Sequence, residues 1–89
     1  MLRREIEIIN KLGMHARAAA KFVTLAQTFK SDIRVARNGQ EVNGKSIMGV
    51  MMLAAAKGTI IELCIDGEDE RLAAEQLCQL VNNRFDEDE

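Results

Sequence analysis

The chain has 89 residues and a formal net charge of −2, which is enough for one small domain over residues 1–89 but too little for two separate cores. Hydrophobic residues make up 47% of the sequence and aromatic residues only 3%, so stacking platforms for nucleic acid bases are not expected. No apolar run reaches the length of a signal peptide or a membrane span, which predicts a soluble cytoplasmic protein without membrane insertion.

The first half of the chain predicts a strand, a helix and a hairpin. Residues 2–9 alternate loosely between apolar and polar side chains, as a half-buried strand does. From Ala16 onward the apolar residues recur at helical spacing: Ala19, Phe22, Val23, Ala26 and Phe29. Ile33 and Val35 then alternate with Arg34, and Asn38-Gly39 is typical of a type I′ turn leading into a second hairpin arm.

The second half predicts a short helix, a strand and a longer helix. Ser46 can cap a helix that runs to Ala56 and is closed by Lys57-Gly58. Residues 59–66 are rich in strand formers, and residues 68–70 begin a last helix with acidic side chains. The buried stripe expected on that helix comprises Leu72, Ala73, Leu77, Leu80, Val81 and Phe85. The acidic tail, residues 86–89, is expected to be frayed and solvated.

The predicted order of elements is β-α-β-β-α-β-α. With short connections this order indicates an α+β, open-faced sandwich, in which a four-stranded, mostly antiparallel sheet is covered on one face by three helices. Cys64 and Cys78 lie in apolar stretches and are expected to be reduced thiols in the core. One histidine and two distant cysteines do not form a metal-ligand pattern, so we expect neither a metal nor a cofactor.

Charge is divided unequally along the chain. Residues 1–57 carry ten Lys and Arg against four Asp and Glu, whereas residues 58–89 carry two against ten. A basic half indicates an acidic partner, although charges that merely solvate a surface would give the same count. RNA binding would require aromatic or G-x-x-G features in addition, and we therefore expect no nucleic acid partner.

The only histidine, His15, stands where the first strand gives way to the first helix. A helix start presents unpaired N–H groups and a partial positive charge, which together favour an anion. Imidazole is a good nucleophile near neutral pH, and Arg17 can pair with phosphate oxygens. By itself, a lone histidine beside a helix start is more often a cap or a surface residue.

A second pattern overlaps the hairpin. Residues 39–46 satisfy the P-loop consensus G-x-x-x-x-G-K-[ST], which would suggest an ATPase. Residues 40–42 are needed as the second arm of the hairpin, however, and 89 residues are too few for a doubly wound parallel sheet. We therefore do not expect nucleotide hydrolysis.

Two segments resemble a known family. Residues 13–23, Gly-Met-His-Ala-Arg-Ala-Ala-Ala-Lys-Phe-Val, are similar to the phosphohistidine signature of the HPr family, the phosphocarriers of the bacterial phosphoenolpyruvate-dependent sugar phosphotransferase system. Residues 43–53, Asn-Gly-Lys-Ser-Ile-Met-Gly-Val-Met-Met-Leu, resemble the second signature of that family, around its regulatory serine. The family usually has Pro where this chain has Ala18, a first-turn position at which the missing N–H of proline costs little.

The resemblance implies a phosphocarrier rather than an enzyme. Such a protein accepts a phosphoryl group from phospho-Enzyme I and donates it to Enzyme II A domains, for sugar uptake and regulation. The resemblance also implies that His15 is phosphorylated on Nδ1, that Arg17 stabilises the phosphate, and that the backbone N–H groups of Ala16 and Arg17 bind it.

The resemblance also implies regulation at Ser46, by a kinase/phosphorylase and a transcriptional regulator in some members of the family. Ile47, Met48 and Met51 share one side of the Ser46 helix, and flexible Met side chains suit a surface that meets several partners. The alternative for these three residues is packing in the core. We expect a monomer.

Two alternatives to sugar transport stay open. The chain could be a regulatory protein-docking module without transfer chemistry, although it retains His15 and Arg17. It could also serve a nitrogen-related branch of the same phosphorelay, a choice that a single sequence does not decide.

Overall fold

The computed structural model describes residues 1–89 and contains four strands and three α-helices in the predicted order. The elements are β1 (Leu2–Glu7), α1 (Ala16–Ala26), β2 (Asp32–Arg37), β3 (Gln40–Asn43), α2 (Ile47–Met52), β4 (Ile60–Asp66) and α3 (Glu70–Asn82), with a short 3₁₀ turn at Arg84–Asp86. The predicted α+β class and element order are confirmed.

The four strands form one antiparallel sheet with the order β1-β4-β2-β3. Ile65 of β4 lies opposite Leu2 on one side and opposite Ile33 on the other. Arg37 and Gln40 are paired across the hairpin, so its loop consists of Asn38 and Gly39 alone. Both loop residues have positive φ, 51° and 81°, as a type I′ turn requires.

The core lies between one face of the sheet and the helices. Alternate residues of β4, Ile61, Leu63 and Ile65, belong to the same buried cluster as apolar residues of α1 and α3. The intervening residues of β4 face the other side of the sheet, where Arg3 pairs with Glu62 at 3.0 Å. The sheet is therefore covered on one face only, as predicted.

Cys64 differs from the expectation of a core thiol. Its side chain is on the open face of the sheet, outside the core cluster. It is 2% exposed, and the Arg3 guanidinium lies 3.4 Å from its sulfur. The apolar stretch around Cys64 did not show which face of the strand the sulfur takes, because β4 alternates between the two faces.

Helix α2 ends at Met52, four residues before the predicted end at Ala56. The chain leaves the helix through Ala54, which has a φ of 49°. Arg37 donates from Nη1 to the carbonyl oxygens of Leu53 at 2.6 Å and Ala54 at 3.2 Å. The Arg37 side chain, from β2, thus satisfies carbonyl groups at the C-terminal end of α2. Lys57-Gly58 does not close the helix, contrary to the prediction.

Helix α3 begins at Glu70 and ends at Asn82. The predicted buried stripe is only partly correct, because Leu72 is 49% exposed. Phe85 is fully buried, but it lies in the 3₁₀ turn beyond the helix, with a φ of 54°. Asp69 does not cap its own helix; its carboxylate accepts hydrogen bonds from the N–H groups of Lys30 and Ser31, just before β2.

None of the helices is long and apolar enough to cross a membrane.

Candidate functional site

The loop between β1 and α1 is fixed by backbone contacts around Gly13. Gly13 has a φ of +69°, and a Cβ there would stand 2.6 Å from the carbonyl oxygen of Ala55. The next residue, Met14, is buried and donates its N–H to that same oxygen at 2.8 Å. The close approach requires glycine, and it holds the residue before His15 against the segment that follows α2.

His15 is the N-cap residue of α1, with extended backbone angles, and its side chain makes no capping hydrogen bond. The first bond of the helix runs from the Ala19 N–H to the His15 carbonyl, at 2.8 Å. The N–H groups of Ala16, Arg17 and Ala18 have no protein acceptor. Ala16 and Arg17 are exposed, whereas Ala18 is fully buried. The start of α1 therefore presents two free donors and a favourable dipole to an anion.

The His15 ring is held from one side by the chain's C-terminal tail. Its Nε2 forms a hydrogen bond with Oε2 of Glu87, and its Nδ1 has no partner in the protein. The His15 side chain is 25% exposed. Because an ionised carboxylate can only accept, the ring proton belongs on Nε2 in neutral imidazole, which leaves the Nδ1 lone pair free.

Glu87 is itself held by Asn10. The Asn10 amide nitrogen donates to Oε1 of Glu87 at 3.0 Å and to the Gly13 carbonyl at 2.7 Å. Desolvation acts to raise the pKa of Glu87, but the hydrogen bonds from Asn10 and His15 outweigh it and leave that pKa below its usual value. Glu87 is therefore a carboxylate at neutral pH.

Residues 84–89 turn back toward the His15 loop, whereas the sequence predicted a frayed tail for residues 86–89. Arg84, Phe85 and Asp86 all have positive φ, which reverses the chain after α3. Lys21 donates from Nζ to the Phe85 carbonyl at 2.7 Å, and the Lys11 N–H donates to the Glu89 carbonyl at 2.6 Å. The negative charge of the tail predicted that it would be solvated. In the structure, the first half of the chain instead supplies hydrogen-bond donors to the tail, and the composition alone does not show where those donors lie.

An open cleft of about 610 Å³ lies between the tail and the first helix. Lysines, one arginine and the acidic tail line it: Lys11, Leu12, Arg17, Lys21, Asp86, Glu87, Asp88 and Glu89. Arg17 is exposed and its guanidinium makes no ion pair, whereas Lys11 pairs with Glu89 at 3.2 Å. Arg17 is thus the cation of this cleft that is free to meet an incoming anion.

Ser46 caps α2, as its position before an apolar run predicted. Its Oγ accepts the Gly49 N–H at 3.1 Å. The next helical turn exposes large apolar side chains, with Ile47 42%, Met48 72% and Met51 38% exposed. Met52, which the pattern did not single out, is 66% exposed. We call Ile47, Met48, Met51 and Met52 the α2 patch; it faces solvent rather than the core.

Asn10 and Glu87 are the two residues of the site that the sequence did not indicate. They are 77 positions apart and meet only after the tail has folded back. Asn10 is 0% exposed and lies in a segment that reads as a loop between strand and helix. An asparagine in such a loop usually indicates a turn, so nothing in the pattern distinguishes it from a turn residue.

Comparison with known proteins finds that this chain is similar to phosphocarriers. A family described as "PTS HPr component phosphorylation site" matches residues 2–83. The phosphocarrier protein HPr of Neisseria meningitidis is 60% identical over 89 residues, covering 100% of both chains. Among solved structures, HPr-C-His from Thermoanaerobacter tengcongensis has a TM-score of 0.96 at 43% identity and covers 100% of both chains. An HPr dimer from the same organism has a TM-score of 0.79 at 44% identity, covering 98% of this chain and 100% of that one.

Proposed function

This chain belongs to the HPr family of phosphocarrier proteins of the phosphotransferase system, and we propose that it carries the phosphoryl group on Nδ1 of His15. The donor is phospho-Enzyme I, charged by phosphoenolpyruvate, and the acceptors are Enzyme II A domains. The observation that supports this proposal is the His15 ring at the start of α1, with its Nδ1 unpartnered and followed in the chain by the free N–H groups of Ala16 and Arg17.

The transfer is a displacement at phosphorus. The Nδ1 lone pair of His15 forms the new N–P bond, while the bond from phosphorus to the donor breaks and its electron pair stays with the donor. The proton on Nε2 does not have to move, so the ring becomes an N-phosphoryl imidazolium. In the next transfer the N–P electron pair returns to Nδ1 and regenerates neutral imidazole, which is a good leaving group.

The groups around Nδ1 suit the phosphoryl oxygens. The N–H groups of Ala16 and Arg17 are free at the helix start, and the Arg17 guanidinium can form paired hydrogen bonds with two oxygens. Ala18, which replaces the proline usual in the family, is fully buried. We propose that Arg17 stabilises the bound group and that the replacement of proline by Ala18 does not remove the anion site.

Intact-mass spectrometry tests the proposal. The protein is incubated with Enzyme I and phosphoenolpyruvate at mildly alkaline pH, with His15→Ala as the matched variant. We expect the wild type to gain one acid-labile phosphate and His15→Ala to gain none, while circular dichroism shows both folded. A folded wild type that gains no phosphate would instead support the regulatory docking module.

Regulated docking is supported by a separate observation. The α2 patch is exposed directly after Ser46, and the loop following α2 contacts the loop that carries His15. We propose that partners bind the α2 patch, and that a kinase/phosphorylase acting on Ser46 changes this docking or recruits a regulator. A phosphoserine there would add about −2 charge beside apolar contacts.

The oligomeric state of the chain and the branch of the phosphorelay that it serves can each be tested. We propose a monomer, because one copy of the chain forms a complete sheet and buries its own core. From its membership of the HPr family we also propose that it is cytoplasmic. Sedimentation at micromolar concentration tests the oligomeric state, since a solved relative is described as a dimer. Parallel reactions with Enzyme I of the sugar branch and of the nitrogen-related branch would distinguish the two pathways by their rates.

A further inference from the structure

We infer that Glu87 and Asn10 are positioning residues for phosphoryl transfer, in which Glu87 fixes the proton of His15 on Nε2 and Asn10 holds the Glu87 carboxylate in place. This inference rests on the proposed function of His15 as the phosphoryl acceptor. It assigns a role in the transfer to the acidic tail, which by its charge alone would be a solvated end.

The orientation of the Asn10 side chain is fixed by two acceptors. Its amide nitrogen faces the Gly13 carbonyl and the Glu87 carboxylate, and both groups only accept hydrogen bonds. The amide cannot be turned around without losing both bonds. Its Oδ1 is consequently buried without a partner, which is unfavourable. Asn10 is 0% exposed and leaves its oxygen unpaired, which indicates that the two hydrogen bonds donated by its nitrogen determine its orientation.

The two oxygens of the Glu87 carboxylate have different partners. Oε1 accepts from Asn10 and Oε2 accepts from His15. Both oxygens are therefore occupied by donors, and the orientation of the carboxylate is set from two sides. The Glu87 side chain is 16% exposed, so water competes with these bonds only in part.

The Glu87 carboxylate acts on the protonation and the orientation of the His15 ring. A carboxylate at Nε2 selects the tautomer in which Nδ1 carries the lone pair, and it also restrains rotation of the ring. After transfer the ring is cationic, and the Glu87 carboxylate stabilises that charge. Because Nε2 and Nδ1 point away from each other, the incoming phosphoryl group does not have to displace Glu87.

Glu87→Gln is the decisive variant, because an amide has one accepting oxygen where the carboxylate has two. In this variant Asn10 and His15 compete for one oxygen, and the amide nitrogen of the new side chain can face Nε2 only if the ring proton moves to Nδ1. The matched control is Glu89→Gln, which removes one charge from the same tail but contacts Lys11 instead of His15.

Two measurements test the inference. The ¹⁵N shifts of the His15 ring at about pH 9, above the ordinary titration range of imidazole, are expected to show Nε2 protonated in the wild type and in Glu89→Gln. In Glu87→Gln we expect a mixture of tautomers. Rapid-quench measurement with phospho-Enzyme I is expected to show phosphoryl acceptance slowed about tenfold by Glu87→Gln, and within about twofold of the wild type for Glu89→Gln.

Asn10 is tested through its dependence on Glu87. We expect Asn10→Ala to slow acceptance about fivefold in the wild type but hardly at all in Glu87→Gln, because Asn10 acts through that carboxylate. Urea unfolding shows whether Asn10→Ala is folded; if it is not, the Glu87→Gln comparison still decides. If the wild type is phosphorylated and Glu87→Gln matches it in rate and in ring shifts, this inference is overturned. If the wild type accepts no phosphate, the proposed function is overturned instead.

Discussion

The Cα of Gly13 lies so close to Ala55 that a Cβ at position 13 would stand 2.6 Å from the Ala55 carbonyl oxygen and 2.9 Å from the Ala56 Cα. Both contacts are to backbone, which cannot move aside as a flexible side chain can. We therefore expect Gly13→Ala to lower the free energy of unfolding by about 2–4 kcal/mol, from the clash and the positive φ together. Urea unfolding monitored by circular dichroism measures it.

Gly58 provides the matched control for Gly13. It also has a positive φ, +90°, but a Cβ there meets nothing within 4 Å. Gly58→Ala is expected to cost about 1 kcal/mol, from backbone strain alone. Equal losses in the two variants would show that the close approach to Ala55 contributes nothing.

The Ser46 hydroxyl stabilises α2 through its bond to the Gly49 N–H. We expect Ser46→Ala to lower the free energy of unfolding by about 1 kcal/mol, and Ser46→Asn to leave it almost unchanged, because Asn is an equally good N-cap. Chemical denaturation of the three proteins under one set of conditions checks this. A loss of similar size in Ser46→Asn would mean that the hydroxyl acts in some way other than as a cap.

The charge introduced by Ser46→Asp tests docking on the α2 patch. Asp is also a good N-cap, so the fold is expected to remain stable. Phosphorylation of His15 by Enzyme I is expected to slow about tenfold, because a negative charge beside the exposed Ile47 and Met48 disfavours an apolar contact. Rapid-quench rates are compared with those of Ser46→Asn, which is capped but uncharged. Equal rates for the two variants would contradict docking at this surface.

Asp69 links the start of α3 to the segment before β2 and makes stability depend on pH. Its carboxylate accepts from the Ser31 hydroxyl at 2.5 Å and from the N–H groups of Lys30 and Ser31. The Ser31 hydrogen bond is the main cause that lowers the pKa of Asp69. A lowered pKa in the folded state contributes stability that is fully present above the unfolded pKa of about 3.9 and is lost as the pH falls through the folded value.

The matching experiment compares wild type and Asp69→Asn by urea unfolding across the acid range. Asp69→Asn is expected to be the less stable protein near neutral pH, and its deficit is expected to shrink as the pH falls below about 4, where the wild-type carboxyl is protonated too. Asp88→Asn, at an exposed position of the tail, serves as the control. A deficit for Asp69→Asn that does not change with pH would show that its charge is not what the hydrogen bonds stabilise.

Local signals in the sequence predicted most of the fold. The Asn38-Gly39 turn and the Ser46 cap depend on neighbouring residues only, and both are found where they were predicted. The end of α2 was predicted too late because it depends on Arg37, whose side chain reaches the Leu53 carbonyl from another strand. A boundary set by a tertiary contact leaves no mark on the helix's own sequence.

The candidate site was predictable only where its residues lie close together in the sequence. His15 and Arg17 belong to one short segment, and its resemblance to the phosphohistidine signature, rather than the helix start alone, indicated their chemistry. Glu87 contacts His15 across 72 positions, and the turn that brings it there uses Phe85 in a conformation with positive φ, which non-glycine residues seldom adopt. Helical periodicity placed Phe85 on α3 instead, because burial alone does not distinguish the last turn of a helix from the loop after it.

The central place of β4 in the sheet has a consequence for the order in which the molecule forms. Strand β1 and the β2–β3 hairpin do not pair with each other; each pairs with β4, which follows them in the chain. During synthesis the hairpin can close early, but β1 has no strand to join until residues 60–66 have left the ribosome. The His15 loop, which follows β1, is therefore anchored to a complete sheet only late in synthesis. A nascent chain that stops before β4 presents His15 to Enzyme I without the sheet that orients the loop.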